Sequence, residues 1–431
     1  MESKEKMTKE INLNHICKVE GHAHLSLKIE NNKVKICELK ASEGARFFEA
    51  LVLNKRLEDV QEIVSRICGI CSSAHTVASI QGLEEALKIN PSNQQLLIRE
   101  MLTIGERVRS HATHLYFLTL PDYFNAASAL ALGKEHKDKI NDAIALITLG
   151  NKIVEAFGGR EIHPFLKIKE KMPNVDFSFL LERLKTLKPI TYRTIELFTN
   201  LDYPSLNRET EYLSLKEDKV YASISGKISS GTGLFLEKDY KKHLAENIKE
   251  YATSKFALKD GKPLMVGAMS RINNNHEQMD SESKIELDKV LNKLNIKLPF
   301  KNPFHNNICQ AIELLYMINR AIYLIENYSP KEENISYKKK EGIGVSAVEA
   351  PRGTLYHEYK IDKEGKIVLC NIITPTVQNL NMMEIDITSI VNKDLSEKKT
   401  KEEIIKDVEK LIRAYDPCFS CSTHFLKVTW L

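Results

Sequence analysis

The chain has 431 residues, 42% of them apolar and 28% charged. That balance excludes a disordered chain, and the length exceeds what one hydrophobic core usually serves, so two or three packed subdomains are expected. The 62 Lys and Arg against 58 Asp and Glu leave a formal charge of +4, intermixed along the chain, which is no nucleic-acid signature.

The opening MESKEKMTKE is charged and lacks the apolar stretch of a secretory signal. Residues 19–41 alternate apolar and polar around Asn31-Asn32, which predicts a β-hairpin. A helical pattern starts at Glu58 and leads into Arg66–His75. Helices are expected over 76–89, ended before Pro91; over 93–120, stopped by Pro121; and over 138–157, stopped at Gly158-Gly159. Residues 178–200, 281–294, 304–328 and 401–415 are further helical segments. Strands are expected at Lys219–Phe235 and at Leu355–Ile373, the latter turning at Lys363–Lys366. Lys331–Glu341 is the best exposed loop, and there is no internal repeat. No uninterrupted apolar run reaches the length of a membrane span, and Ile308–Tyr328, which contains Glu313, Arg320 and Glu326, reads as a buried amphipathic helix. The expectation is a cytoplasmic protein without direct membrane insertion. Its fold class is mixed α+β and mainly helical. Residues 1–60 are a β-rich segment, 61–330 mainly helical, and 331–431 a β-containing segment with a tail.

Chemistry concentrates in the cysteines. There are eight, and four form two Cys-x-x-Cys pairs, Cys68/Cys71 and Cys418/Cys421. In a reducing cytosol such pairs read as metal-binding or catalytic before they read as disulfides. Each pair can offer two thiolates from one short turn, and four thiolates favour zinc, iron or nickel. A zinc ribbon places its pairs roughly 15–20 residues apart; here Cys418 follows Cys71 by 347 positions. Spacing alone leaves a structural and a catalytic metal both open. The flanks, Arg66 and His75 at one pair and Asp416 and His424 at the other, supply groups that could tune bound sulfur. Cys17, Cys37, Cys309 and Cys370 have no partner motif and read as ordinary buried thiols.

The segments R-I-C-G-I-C-S-S-A-H and D-P-C-F-S-C-S-T-H resemble the N- and C-terminal signatures of the large subunit of [NiFe]-hydrogenases. Val19-Glu20-Gly21-His22, Glu43–Glu49, Gly158–Pro164, Glu349–Gly353 and Thr374–Asn379 resemble further family segments and follow in the family's order. The resemblance thus runs from residue 19 to residue 424. The intact Cys quartet separates the chain from the related quinone-binding subunit of respiratory complex I.

The resemblance implies that Cys68, Cys71, Cys418 and Cys421 bind nickel, that Cys71 and Cys421 also bridge to iron, and that the iron carries carbon monoxide and cyanide. It makes Cys418 the first proton acceptor, which suits a thiolate kept deprotonated by a metal, and Glu20 the next. Arg352 would face the metals, held by Asp122 and Asp416. Pro351, Thr374, Pro375 and Thr376 would surround the cyanide ligands, with the Thr376 hydroxyl as a donor. His75 would hydrogen-bond a cysteine sulfur. Glu49, His424 and the backbone carbonyl of Ile372 would hold a structural magnesium, a hard cation suited to oxygen donors. His111 and His114, at i, i+3, read as core or supporting residues. Seven residues, FLKVTWL, follow His424, where many members are clipped after nickel insertion, so the sequence could be a precursor.

Within the family the chain looks most like the soluble NAD(P)-linked, sulfhydrogenase alpha-subunit type. It has no Gly-x-Gly-x-x-Gly fingerprint and no further Cys cluster, so an iron–sulfur small subunit, flavin/NAD(P) diaphorase subunits and maturation proteins are the implied partners. A hydrogen sensor, a structural-zinc protein, and a membrane-linked or cofactor-F420-linked hydrogenase are the alternatives.

Overall fold

The computed structural model describes residues 8–44, 47–329, 331 and 336–423. Arg46, part of the expected loop at 331–341, and His424 with the tail after it lie outside the described residues.

Three strands open the fold as an antiparallel meander: β1 (Thr8–Leu13), β2 (Ala23–Glu30) and β3 (Lys33–Ala41). Alternation in β2 buries Ala23, Leu25, Leu27 and Ile29. Asn31 and Asn32, both at positive φ, make the expected two-residue turn, which matches the twist of the flanking strands. β1 was not foreseen. It is an edge strand, and the charges on Lys9 and Glu10 that hide it in the sequence suit an edge.

Short helices α1 (Phe48–Leu51) and α2 (Val60–Val64) lead to the first cysteine pair, and α3 (Ser72–Leu87) starts directly after Cys71. A capping box starts α4 (Asn93–Thr113): Ser92 Oγ accepts from Gln95 N at 3.2 Å, and the Gln95 side chain accepts from Ser92 N at 3.0 Å. The helix expected to run to residue 120 changes pitch instead. Residues His114–Thr119 form a π-helical turn, and α5 (Leu120–Tyr123) follows. Pro121 sits in the first turn of α5 rather than ending a helix, because its missing N–H has no helical partner there.

Next come α6 (Lys137–Gly158), ended by Gly159 at φ 75°, and α7 (Phe177–Thr199). Small strands follow. β4 (Glu211–Tyr212) pairs in parallel with β10 (Leu264–Met265). β5 (Ser214–Lys216), β6 (Lys227–Ser230) and β7 (Gly233–Phe235) form a second sheet. β8 (Leu244–Ile248) and β9 (Lys255–Lys259) form a hairpin after α8 (Tyr240–His243). The strand expected over Lys219–Phe235 is therefore found only from Lys227. Before it the chain crosses to another layer, where Ser223 O accepts from Glu349 N at 2.8 Å.

Helices α9 (Ala268–Asn275), α10 (Ser281–Leu294) and α11 (Asn306–Glu326) come next. α11 is long and apolar enough to cross a membrane, yet most of it is buried inside the fold, as expected of a core helix. An antiparallel sheet of β11 (Gly342–Ala350), β12 (Gly353–Ile361) and β13 (Ile367–Ile373) precedes α12 (Pro375–Ser396), α13 (Lys401–Ala414) and α14 (Phe419–Ser422).

β11 and α12 were not foreseen because neither shows a readable period. β11 is buried on both faces and so shows no alternation. α12 buries Gln378, Asn379 and Asn381, whose side chains bond Thr354 O (2.6 Å), the Val266 backbone (2.9 Å to N) and Ala257 O (2.9 Å). Polar residues on the inner face erase the apolar period that marks a helix. The cysteine expectation also needs correction. Cys309 is buried, whereas Cys17 is exposed and Cys37 and Cys370 are half-buried.

Helix α3 lies directly on β11. A Cβ on Gly344 would stand 2.1 Å from Gly82 O and 2.3 Å from Ala86 N, both backbone atoms of α3. Gly344→Ala is expected to lower stability by about 1–3 kcal/mol, as overpacking does, seen as a lower denaturation midpoint. An unchanged midpoint would show that α3 retreats freely.

Candidate metal centre

The first pair is presented by a turn. Cys68 is extended, and Cys71 stands at the N-cap of α3. Two residues of α4 grip this turn from behind. Glu106 accepts from Ser73 N (2.5 Å) and Ala74 N (3.1 Å), capping the orphan amides of α3, and Arg109 donates to Ile70 O (2.9 Å) and Glu161 O (2.6 Å). Burial pushes the Glu106 carboxyl up to about 7. His163 closes the other side, with Nδ1 2.9 Å from Ser65 O and its amide donating to Ser72 Oγ at 3.1 Å.

The second pair arrives with α14 and is fastened to the N-terminal meander. Phe419 N donates to Glu20 O at 2.9 Å. A Cβ on Gly21 would stand 2.8 Å from Ser420 N, and Gly21 has φ 81°, so only glycine lets these two segments meet. Cys418 N donates to Thr376 Oγ1 at 2.9 Å.

All four sulfurs, Cys68, Cys71, Cys418 and Cys421, are buried and lie within 4.8 Å of one another. Cys68 Sγ is 3.5 Å from Cys418 Sγ, and Cys71 Sγ is 3.3 Å from Cys421 Sγ; the sulfurs of Cys418 and Cys421 stand in direct contact. Cys71 donates to Cys68, which holds the Cys68 thiol below the usual range and pushes Cys71 well above it. Among the described residues this is the one His/Cys/Asp/Glu group able to converge on a metal ion.

Arg352 occupies the tight Pro351-Arg352 turn between β11 and β12, closed by the pairing of Ala350 with Gly353. Its Nε donates to Asp416 O (2.7 Å) and Oδ1 (3.1 Å), and its Nη2 is 3.0 Å from Asp416 Oδ1. Burial opposes its charge, but Asp416, Cys68 and Cys71 outweigh burial and hold the guanidinium above its ordinary range. Asp122 is engaged elsewhere, by Lys18 and by Arg413 Nη1 (2.5 Å), because Arg413 at the end of α13 reaches it first. The structure therefore gives Arg352 the Asp416 partner and not the Asp122 one.

Two buried polar atoms here have no partner among the described residues: Arg352 Nη1 and Thr374 Oγ1. Unpaired buried donors are costly unless a ligand meets them. They fit a polar-ligated metal pair bound to the four sulfurs. Thr376 Oγ1 accepts from Cys418 N and keeps its hydroxyl hydrogen to donate, while Pro375 begins α12.

Glu20 is half-buried, its Oε2 3.0 Å from Cys418 Sγ and 3.1 Å from Ser420 N. His75 Nδ1 lies 3.0 Å from His357 Nε2. At the expected second ion site, Glu49 Oε1 accepts from the Ile372 amide at 2.8 Å, and Lys255 Nζ stands 3.4 Å from Oε2.

A buried charge network underlies the Arg352 turn. Arg271 pairs with Glu313 (2.6 and 2.7 Å) and Glu349 (3.1 Å) and donates to Ala350 O (3.0 Å) and Pro351 O (2.9 Å), while Arg107 donates to Glu349 O at 2.7 Å. Neither arginine was singled out from sequence. The available signal was the run of charges Glu106, Arg107 and Arg109 within an otherwise apolar helix. His111, as expected, serves the core, bonding Glu313 at 2.7 Å.

Burial lowers His111 and His305 to about 4. Unfolding restores both toward about 6.5, so the unfolded chain binds more protons between those values. Stability is then expected to fall as pH drops from about 6.5 toward 4, by about 1.4 kcal/mol per pH unit for each histidine. Denaturation midpoints against pH would show it. His305→Phe, packed against Tyr203 and Phe300, should remove one proton from the slope; an unchanged slope would refute the assignment.

Similarity to known proteins agrees with this geometry. The family model for nickel-dependent hydrogenases matches residues 46–168 and 198–424. The chain is 35% identical over 432 residues to sulfhydrogenase 1 subunit alpha of Pyrococcus furiosus, covering 97% of this chain and 98% of that one. It is 33% identical to sulfhydrogenase 2 subunit alpha of the same organism, covering 97% of this chain and all of that one. Its fold matches an NAD+-reducing [NiFe]-hydrogenase in the H2-reduced state, with TM-score 0.83 and 21% identity over 96% of this chain and 99% of that one. A quartet of buried sulfurs drawn from both ends of the chain, inside that fold and with those relatives, makes the protein a member of the nickel-dependent hydrogenase family, as its large, catalytic subunit.

Proposed function

We propose that the protein oxidises molecular hydrogen reversibly to protons and electrons, with nickel and iron held by Cys68, Cys71, Cys418 and Cys421. The observation that carries this reading is the convergence of four buried sulfurs beside an arginine whose Nη1 is unpaired. When bound, the metal pair supplies heterolytic cleavage of hydrogen and takes up its electrons. The chain's own residues handle the rest. Arg352, clamped by Asp416, offers a fixed positive group at the site where charge develops. Cys418 Sγ can take the proton and pass it to Glu20, 3.0 Å away, which leads toward the surface. Arg352 Nη1, Thr374 and Thr376, next to Pro351 and Pro375, are the groups suited to hold carbon monoxide and cyanide on the iron.

Electrons need a separate exit. Among the described residues no second cysteine group stands near this one, so an iron–sulfur small subunit would receive them, and diaphorase subunits would carry them to NAD(P). The sulfhydrogenase relatives support that arrangement. Loading the metals would require maturation proteins. A magnesium ion at Glu49 would share it with Lys255, whose ammonium also lies 3.2 Å from Glu246 Oε2.

The test is anaerobic purification from the native host with partners attached, followed by nickel and iron analysis and infrared spectroscopy. Nickel together with bands of metal-bound carbon monoxide and cyanide is the expected result. Zinc alone, with no such bands, would overturn the reading.

A further inference from the structure

Asp416 holds Arg352, and a closed ring of hydrogen bonds holds Asp416. Its Oδ1 faces Arg352, and its Oδ2 accepts from Gln310 Nε2 at 3.1 Å. Gln310 Oε1 lies 2.5 Å from His114 Nδ1. His114 Nε2 lies 2.6 Å from Arg413 O, and the same carbonyl accepts from Asp416 N at 2.8 Å. Asp416, Gln310, His114 and the Arg413 carbonyl thus form one loop, with every side chain in it buried.

The orientations in this ring are dictated. Reversing the Gln310 amide would set its oxygen against the Asp416 carboxylate, so the nitrogen must face Asp416 and the oxygen must face His114. His114 Nδ1 therefore donates to Gln310, and Nε2, facing the Arg413 carbonyl, donates as well. The π-helical turn completes the lock. In that geometry residues five apart stack, and Thr119 Oγ1 meets His114 Nε2 at 3.0 Å. Asp416 itself has φ 50°, a conformation that needs support from its surroundings.

We propose that Gln310, locked by His114, is a positioning residue that sets the aim of the free Nη1 of Arg352 at the metal centre. The inference rests on the nickel–iron reading above. With only Arg352 as partner, the Asp416 carboxylate would be free to rotate and would tilt the guanidinium about its remaining bond from Nε to Asp416 O. A shift of about 1 Å at a reacting centre can cost roughly 10²-fold in rate.

The test uses the complete enzyme with its partners, matured in its native host. Gln310→Met keeps the volume and removes both hydrogen bonds. With nickel and iron retained, kcat should fall roughly 10- to 100-fold. The KM for hydrogen should stay within about twofold, because the lost interaction acts on developing charge and not on the apolar substrate. The cyanide infrared bands should move, a change that a remote structural defect would not produce. Wild-type kcat with unmoved bands would overturn the proposal. Should Gln310→Met fail to take up metal, a second pair of variants decides. His114→Gln keeps a donor toward Gln310 and should turn over several-fold faster than His114→Leu; equal rates would overturn the proposal. Absence of nickel in the wild-type enzyme would instead strike the nickel–iron reading, so the two failures are distinguishable.

Discussion

Cys418→Ser is expected to abolish hydrogen turnover, a loss of more than about 10³-fold, as when one member of a catalytic unit is removed. Two roles meet at this sulfur. It stands 3.5 Å from Cys68 Sγ inside the quartet and 3.0 Å from Glu20 Oε2, so it is both a metal donor and the start of the proton route. A serine hydroxyl is a hard donor that stays protonated at neutral pH, a poor substitute for a thiolate on nickel. The same assay on Cys309→Ala supplies the control. Cys309 is also buried but lies outside the quartet, and that variant should keep its nickel and most of its rate. Equal activity in Cys418→Ser and wild type would sink the assignment of the quartet as the catalytic centre.

Arg352→Lys should lower the rate by roughly 10²- to 10³-fold with nickel and iron retained, the usual cost of one preorganised donor. The guanidinium uses Nε and Nη2 on Asp416 and leaves Nη1 free. An ammonium group carries the charge but has no planar fork, so it cannot both hold Asp416 and face the metals. The measurement is turnover per nickel. A rate unchanged per nickel would show that Arg352 is only one end of a structural ion pair.

Much of the site was legible in the sequence because its chemistry is local. Each cysteine pair is a four-residue unit, and Glu20, Arg352, Thr374 and Thr376 lie in short segments that resemble those of one family. Asp122 failed as a partner of Arg352 because nothing local records that Arg413 and Lys18 claim its carboxylate. Glu106, Arg109, Arg271 and Gln310 were not found at all. They act through backbone carbonyls, amides and carboxylates that come from distant segments, and polar residues at those helical positions look the same as a solvated face.

The same division holds for the fold. Sequence by itself determined the meander turn at Asn31-Asn32, the helices α4, α6, α7, α10, α11 and α13, and the two cysteine turns. Those features follow from residue-scale rules of period, capping and turn chemistry. Tertiary structure decided the rest. β11 and α12 lack a readable period because their inner faces are wholly buried or hold polar groups satisfied at a distance. The pitch change at His114–Thr119 brings Thr119 against His114, beside the ring that holds Asp416. The meeting of Cys68 and Cys71 with Cys418 and Cys421 closes nearly the whole chain into one loop. No local preference encodes such a contact. It forms because the packed core brings both ends to one buried point, where their sulfurs can share a metal.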